Sequence, residues 1–378
     1  MTKNSSRFGY IDLLRGWAVI VMIETHVVNA FLYPLYRENK IFSLINFMNG
    51  IVAPAFLFLA GYSFMIMLNK KREQIYLWSP VFRKTFFKLI GILFVAYLLR
   101  IPYFSFERIM NGVDDKLLSN FLKVDILHCI SITMMLMLFN ASIIKNQKIF
   151  IRIILGLLVA FLSLTGFMWS TNMQNYLPLG IANYLNASQG SLFPLFPWSS
   201  FIFIGALASN VWLEFREKKK EDKYFKTLIS SGLIMAICGL SYQYLSQSVN
   251  DTLYWRISPM FFITRIGVVF ILLSLFWYWQ KIFGDKKSAV LISGNESLLL
   301  YTLHLLVIYG MFFDEESLAF IINKTLLPNE VMIFSIILIL VMIVTAILWS
   351  KIKNRSSRLS AIIKGGIVLV SLLYFFTN

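Results

Sequence analysis

Arg15 and His26 stand eleven residues apart in the first apolar stretch of the 378-residue chain. On a helix, eleven steps of 100° fall about 20° from complete overlap and rise about 16 Å, so both side chains leave one face. Asp12 lies within about 60° of Arg15 and can pair with it at i,i+3, whereas Glu24 points to another face. A permanent cation suits a phosphorylated ligand. An imidazole farther along the same stripe accepts and returns a proton near neutral pH. The pair therefore reads as an anion-holding end and a proton-handling end on one rod.

Other polar side chains recur inside apolar segments. They include Arg100, Asp125, His128, Arg265, Glu296 and His304, and all three histidines of the chain (His26, His128, His304) fall there. A charged group in lipid costs several kcal/mol, so such residues are functional candidates by default. The histidines show no close spacing and no His-x-x-x-His pair, so no metal site is expected. The second apolar stretch holds Asn46, Asn49, Gly50, Pro54 and Gly61, which predicts a broken or kinked helix. FPLFPWSSFIFIG (193–205) reads as a second Pro-rich helix entrance.

The elements that must carry these residues follow from composition. Hydrophobic residues make up 58%, charged residues 14%, and mean hydropathy is +0.70. Soluble domains sit nearer about 45–50% apolar and about 25% charged, which argues against a cytosolic two-domain enzyme and excludes a disordered chain. Apolar blocks of about 20 residues match the bilayer core. The expected fold is all-α, a polytopic membrane helix bundle of eleven transmembrane helices. They fall at 11–33, 42–68, 86–103, 124–140, 150–169, 193–213, 227–246, 258–280, 289–312, 329–350 and 360–376. No sustained period-two pattern supports a β-barrel.

Loop charge sets the orientation. Of 35 Lys and Arg, 24 fall in the N-terminal stretch and alternate loops after it, and 7 in the intervening loops. That bias puts the N-terminus in the cytoplasm, with Arg15 at the cytoplasmic mouth and His26 beyond the midplane. The net charge of +16 thus orients helices and implies no nucleic acid. The run 214–226 (EFREKKKEDKYFK) reads as a solvated cytoplasmic loop or a contact with anionic lipid. The uncharged stretch 170–192 reads as an extracytoplasmic loop or a re-entrant lid. Cys129 and Cys238, in distant apolar segments, give no disulfide framework. No cleavable signal peptide and no internal repeat are expected, and 1–378 reads as one transmembrane domain.

IDLLRGWAVIVMIETH, with Arg-Gly at 15–16 and Arg-x10-His, resembles the first helix of the acyltransferase-3 family. Four further segments resemble the heparan-α-glucosaminide N-acetyltransferase catalytic-domain family and its bacterial relatives. They are MNGIVAPAFLFLAGYS (48–63), VDILHCISI (124–132), FPWSSFIFIGA (196–206) and GNESLLLYTLHLLVIYG (294–310). The resemblance spans 7–310 and leaves 329–376 as additional C-terminal spans. It implies an enzyme of the cytoplasmic membrane that moves an acyl group, usually acetyl, from cytosolic acyl-CoA to a hydroxyl or amine of an extracytoplasmic acceptor, commonly a glycan. By similarity Arg15 and Asp12 serve the donor and His26 the chemistry. Asn49, His128, Arg265, Glu296 and His304 are the candidate acceptor or oxyanion contacts. Eukaryotic members carry asparagine at the His26 position and a histidine about three turns later, where this chain has Arg37. The histidine assignment therefore follows the acyltransferase-3 pattern.

The implied mechanism holds the nucleotide with Arg15 and basic residues such as Lys84 or Lys88. His26 acts as general base, or carries the acyl group as an acyl-histidine. Asn49, Arg265 and His304 are alternative donors to the oxyanion. Acetyl-CoA enters as co-substrate, and no cofactor or metal is permanently bound. The expected partners are acyl-CoA, the acceptor and the lipid bilayer, with a homodimer left open. The rival reading is a secondary transporter or flippase using the same buried charges. A mere scaffold would leave about ten intramembrane ionisable residues without a purpose.

Overall fold

The structure, a computed structural model, describes residues 8–101, 104–112, 115–246, 252–284, 288–310 and 317–377. Of the loop cations above, Lys3, Arg7, Lys286 and Lys287 lie outside the described residues, as do 311–312 of the ninth expected span. The helices in chain order begin with α1 (Gly9–Phe31), α2 (Lys40–Asn49), α3 (Val52–Lys70), α4 (Pro80–Leu98), α5 (Phe106–Met110) and α6 (Asp115–Phe121). Next come α7 (Ile126–Ile143), α8 (Gln147–Ser170), α9 (Leu179–Leu185), α10 (Leu195–Glu217), α11 (Glu221–Leu245) and α12 (Thr252–Ile257). The last are α13 (Pro259–Phe283), α14 (Ala289–Asn295), α15 (Ser297–Tyr309), α16 (Leu318–Ile322), α17 (Pro328–Arg355) and α18 (Ser357–Thr377).

The all-α membrane architecture is thus present, and each of the eleven expected segments coincides with a helix or helix pair. By length and apolarity, eight helices among the described residues can cross a membrane, counting Lys40–Lys70 as one, and nine if α14 and α15 together make one. The other two, α1 and α4, carry three charges each (Asp12, Arg15, Glu24 and Arg83, Lys84, Lys88), which lower their apolarity. The ninth segment departs most from a straight span. α14 and α15 meet at an 88° bend at Glu296. α15 has 13 residues, about 20 Å, against a hydrocarbon core of about 30 Å.

The described residues form two compact units. The first draws on Met1–Val52, Leu98–Phe121 and Trp279–Asn378. In it α1 packs on α14, α15, α17 and α2. The closest seam is glycine on glycine. A Cβ on Gly16 would lie 1.9 Å from the Val290 carbonyl oxygen, and one on Gly294 would lie 1.9 Å from that of Asp12. Missing side chains let membrane helices touch backbone to backbone. Past α1 the chain is tied to the segment before α17, where Leu326 N donates to Phe31 O (2.9 Å) and Tyr33 N to Leu326 O (3.0 Å). The predicted break in the second stretch falls at Gly50–Ile51, between α2 and α3.

The second unit draws on Ala53–Tyr97 and Leu122–Tyr278. α10 packs on α8 and α7, and Gly61 and Gly205 repeat the reciprocal seam between α3 and α10. The Pro-rich entrance of α10 is kinked, with Phe196 outside helical geometry. The stretch 170–192 contains α9 and a 3-10 turn, and it is stitched to its surroundings. Asn186 Nδ2 donates to the carbonyls of Met168 (3.0 Å) and Thr171 (2.9 Å), and Asn183 Nδ2 to that of Leu122 (3.0 Å).

Candidate functional site

Six of the eight sequence-predicted site residues lie in the first unit: Asp12, Arg15, His26, Asn49, Glu296 and His304. They occur at two levels of α1. At the N-terminal level, Arg15 Nη1 sits 2.8 Å from Asp12 Oδ1, the i,i+3 ion pair that the spacing predicts. Asp12 is buried and Arg15 half-buried. The Gly16–Gly294 seam is at this same level, because Gly294 abuts the Asp12 carbonyl. Two residues beyond it, at the α14–α15 bend, buried Glu296 forms an ion pair with Lys353 of α17. Glu296 therefore has a cation partner at the bend, and eight residues of α15, about 12 Å, separate it from His304.

At the other level α15 lies beside the far half of α1. The rings of His26 and His304 stand 5.1 Å apart, centre to centre. Tyr309 Oη is 3.4 Å from His26 Nδ1, its ring edge-on to the imidazole. His304 is fully buried, and its Nδ1 lies 2.7 Å from the Leu300 carbonyl oxygen. A carbonyl only accepts, so Nδ1 carries a proton, and in the neutral ring Nε2 presents a lone pair. Among the described residues nothing hydrogen-bonds that Nε2. Glu24, also on α1, is hydrogen-bonded by the Asn49 side chain from the end of α2. In the neutral ring the one N–H of His304 is engaged with the Leu300 carbonyl.

The remaining two candidates lie in the second unit. Arg265 is buried on α13, its guanidinium 5.5 Å from the Phe261 ring centre. His128 is buried at the start of α7 against Asp125, with Nδ1 2.9 Å from Oδ1. Sequence reasoning did not single out Tyr309, Lys353 or the Gly16–Gly294 seam, all of which act across the tertiary fold. It passed over the Asp125–His128 pairing too, although Asp-x-x-His at a helix start is a capping signature open to reading. No group of three or more His, Cys, Asp or Glu that could hold a metal ion occurs among the described residues.

The first unit thus sets an ion-paired guanidinium at one end of a helix and two imidazoles with a phenol about 16 Å along it. Such a rod can hold an anionic group at one end and move a proton at the other. A search of curated proteins returns no match for the chain. The family model of the heparan-alpha-glucosaminide N-acetyltransferase catalytic domain matches residues 7–246. That range contains Asp12, Arg15, His26, Asn49 and His128, and it stops short of Arg265, Glu296 and His304. The chain belongs to the heparan-alpha-glucosaminide N-acetyltransferase catalytic-domain family, and by that membership it is a membrane-embedded acetyltransferase.

Proposed function

We propose that this protein takes an acyl group, acetyl first of all, from cytosolic acyl-CoA at the Arg15 end of α1. It delivers the group at the His26 end to a hydroxyl or amine of an extracytoplasmic acceptor of glycan type. The observation that carries this reading is the pairing of both levels on one helix: Asp12–Arg15 below, His26 with His304 and Tyr309 above. The coenzyme is held by its phosphates. Arg15, oriented by Asp12, meets them as a fixed planar cation. The pantetheine arm is long enough to bring the thioester toward His26. His26 takes the proton of the acceptor as its oxygen or nitrogen attacks the thioester carbonyl. The carbon–sulfur bond then breaks, and the same proton passes to the departing thiolate. Acyl-CoA is consumed as co-substrate, and the site is proposed to work in the cytoplasmic membrane with the N-terminus inside.

One observation favours the rival transporter reading. A helix broken by 88° at a buried carboxylate resembles the discontinuous helices of ion-coupled carriers. Purified protein in detergent, given acetyl-CoA and a membrane-glycan extract, is expected to release free thiol in step with acylated product. Acceptor flux in proteoliposomes without thiol release would replace this proposal with the transporter.

The donor role has its own test. Arg15→Ala is expected to raise the KM for acetyl-CoA about tenfold or more and leave the acceptor KM unchanged, because a charge-assisted contact to phosphate is lost. Titrating each substrate in the thiol-release assay checks it, and a shift in the acceptor KM alone would remove Arg15 from the donor site.

A further inference from the structure

We propose that Lys353, held by the buried carboxylate of Glu296, is a second phosphate-binding cation of the acyl-donor site, beside Arg15. The site then takes a ligand with more than one phosphate group, such as coenzyme A, and Glu296 serves the donor end as a positioning residue. The inference rests on the donor reading of Arg15 and adds a residue to that site.

Four helix segments of the first unit meet at the Arg15 level. α1 begins there, and the Tyr10 N–H donates to Gln280 Oε1 near the end of α13 (2.5 Å). Gly294 of α14 abuts the Asp12 carbonyl, and a Cβ on it would lie 2.9 Å from the Gly16 nitrogen. Glu296 follows two residues later, within about 7 Å along the chain. Lys353 stands in the last turn of α17, which packs on both α1 and α14. Its Nζ donates to Glu296 Oε1, while Arg15 Nη1 donates to Asp12 Oδ1 at 2.8 Å. One ion pair therefore belongs to each side of the glycine seam.

The two pairs are built alike, with the carboxylate withdrawn and the cation presented. The Asp12 and Glu296 side chains are 9% and 8% exposed, those of Arg15 and Lys353 22% and 40%. A buried ion pair is a poor source of stability, because desolvation offsets most of the attraction. What it does supply is a cation fixed in place. Glu296 takes one N–H of the Lys353 ammonium, which has three. No other hydrogen bond to it occurs among the described residues, so two remain for a ligand on the exposed side. Lys351 and Arg355 are exposed nearby, but among the described residues no carboxylate pairs with them and fixes their position. They add positive field without a defined contact. With the carboxylates behind, an arriving anion meets the positive ends of both pairs. Two placed cations suit an anion whose charge is spread over several phosphate oxygens: the guanidinium grips one group bidentately and the ammonium acts on another as a point charge.

Equilibrium binding of coenzyme A and of inorganic pyrophosphate to the full protein, in detergent micelles free of added lipid, tests the proposal. Lys353→Gln should raise the Kd for both about tenfold, the loss of one hydrogen bond to a charged group. Its coenzyme affinity should also fall less steeply with added salt, because one cation fewer is screened. Lys353→Arg keeps the charge and should restore most of the affinity. Lys353→Gln leaves a buried carboxylate unpaired, so its thermal midpoint should fall as well. Glu296→Gln with Lys353→Gln removes both charges, and should recover the midpoint while coenzyme binding stays weak. Recovery of both by the double variant would make the pair structural and overturn the proposal. Wild-type coenzyme affinity in Lys353→Gln overturns it too, and a loss confined to binding of phosphatidylglycerol added to the micelles would make Lys353 a lipid-headgroup contact instead. None of these measurements needs turnover, so failure of acyl transfer, seen as missing thiol release, leaves them readable. Arg15→Ala measured alongside separates the remaining cases. Weak binding there with wild-type binding in Lys353→Gln removes Lys353 alone, and wild-type binding in both removes the donor site from this level.

Discussion

Replacing His26 by alanine is expected to lower acyl transfer by about 10²–10⁴-fold, the range for loss of a general base, while acetyl-CoA still binds with wild-type affinity. The separation of effects follows from the helix. Arg15 and Asp12 form their ion pair within one turn of α1, and His26 is about 16 Å farther along. Nothing in that pair touches the imidazole. Alanine is a strong helix former, so α1 keeps its shape. The contacts that disappear are those to the His304 ring at 5.1 Å and to Tyr309 Oη at 3.4 Å. Tyr309→Phe should cost less, because it removes a group that orients the base and leaves the base itself. Thiol release at saturating acetyl-CoA, with equilibrium binding of coenzyme A to the same preparation, measures both quantities. Wild-type turnover in the alanine variant would end the assignment of His26 as base. Loss of coenzyme binding together with turnover would show that the residue holds the fold instead.

The two ends of this rod differ in how far the sequence revealed them. The Asp12–Arg15 ion pair and the shared face of Arg15 and His26 follow from 100° per residue, a property of one helix alone, and the ion pair forms as the spacing requires. The helices were legible for the same reason, since about 20 apolar residues in a row are a one-dimensional signal. What the sequence hid depends on direction. Apolarity summed along 289–312 cannot register that the chain turns by 88° at Glu296, so the segment reads as one crossing. Gly294, Asn295 and Glu296 form the interruption in that run, and they mark the bend once it is known. The partners of His26 and Glu296 were equally hidden. Tyr309 and Lys353 are 283 and 57 residues away from them. Asp125–His128 is the opposite case. Its partners are three residues apart, and the spacing was open to reading from the start.

Enlarging either glycine of the α1–α14 seam should be as damaging as losing the base, for a different reason. A Cβ on Gly16 would lie 1.9 Å from the Val290 carbonyl oxygen and 2.8 Å from its carbon. On the other side, a Cβ on Gly294 would lie 1.9 Å from the Asp12 carbonyl oxygen and 2.9 Å from the Gly16 nitrogen. These neighbours are backbone, so no rotamer change relieves the overlap, and the helices must part by more than about 1 Å. Overpacking of this kind costs about 1–3 kcal/mol, occasionally more. The displacement is also transmitted to chemistry, because α14 leads into the bend from which α15 carries His304 and Tyr309 to His26. A misplacement of about 1 Å can reduce turnover about 10²-fold. Gly16→Ala is therefore expected to lower the thermal midpoint and, in the fraction that folds, to reduce turnover by about that factor. Because both methyl groups are relieved by one separation of the helices, Gly16→Ala with Gly294→Ala should cost little more than either alone. Gly156→Ala on α8 is the control. Nothing lies within 4 Å of its Cβ, and alanine favours the helix by about 0.8–1 kcal/mol. Thermal unfolding and thiol release of the four variants decide it. Full additivity of the seam pair, or a wild-type midpoint for Gly16→Ala, would mean that α1 and α14 do not meet through these glycines.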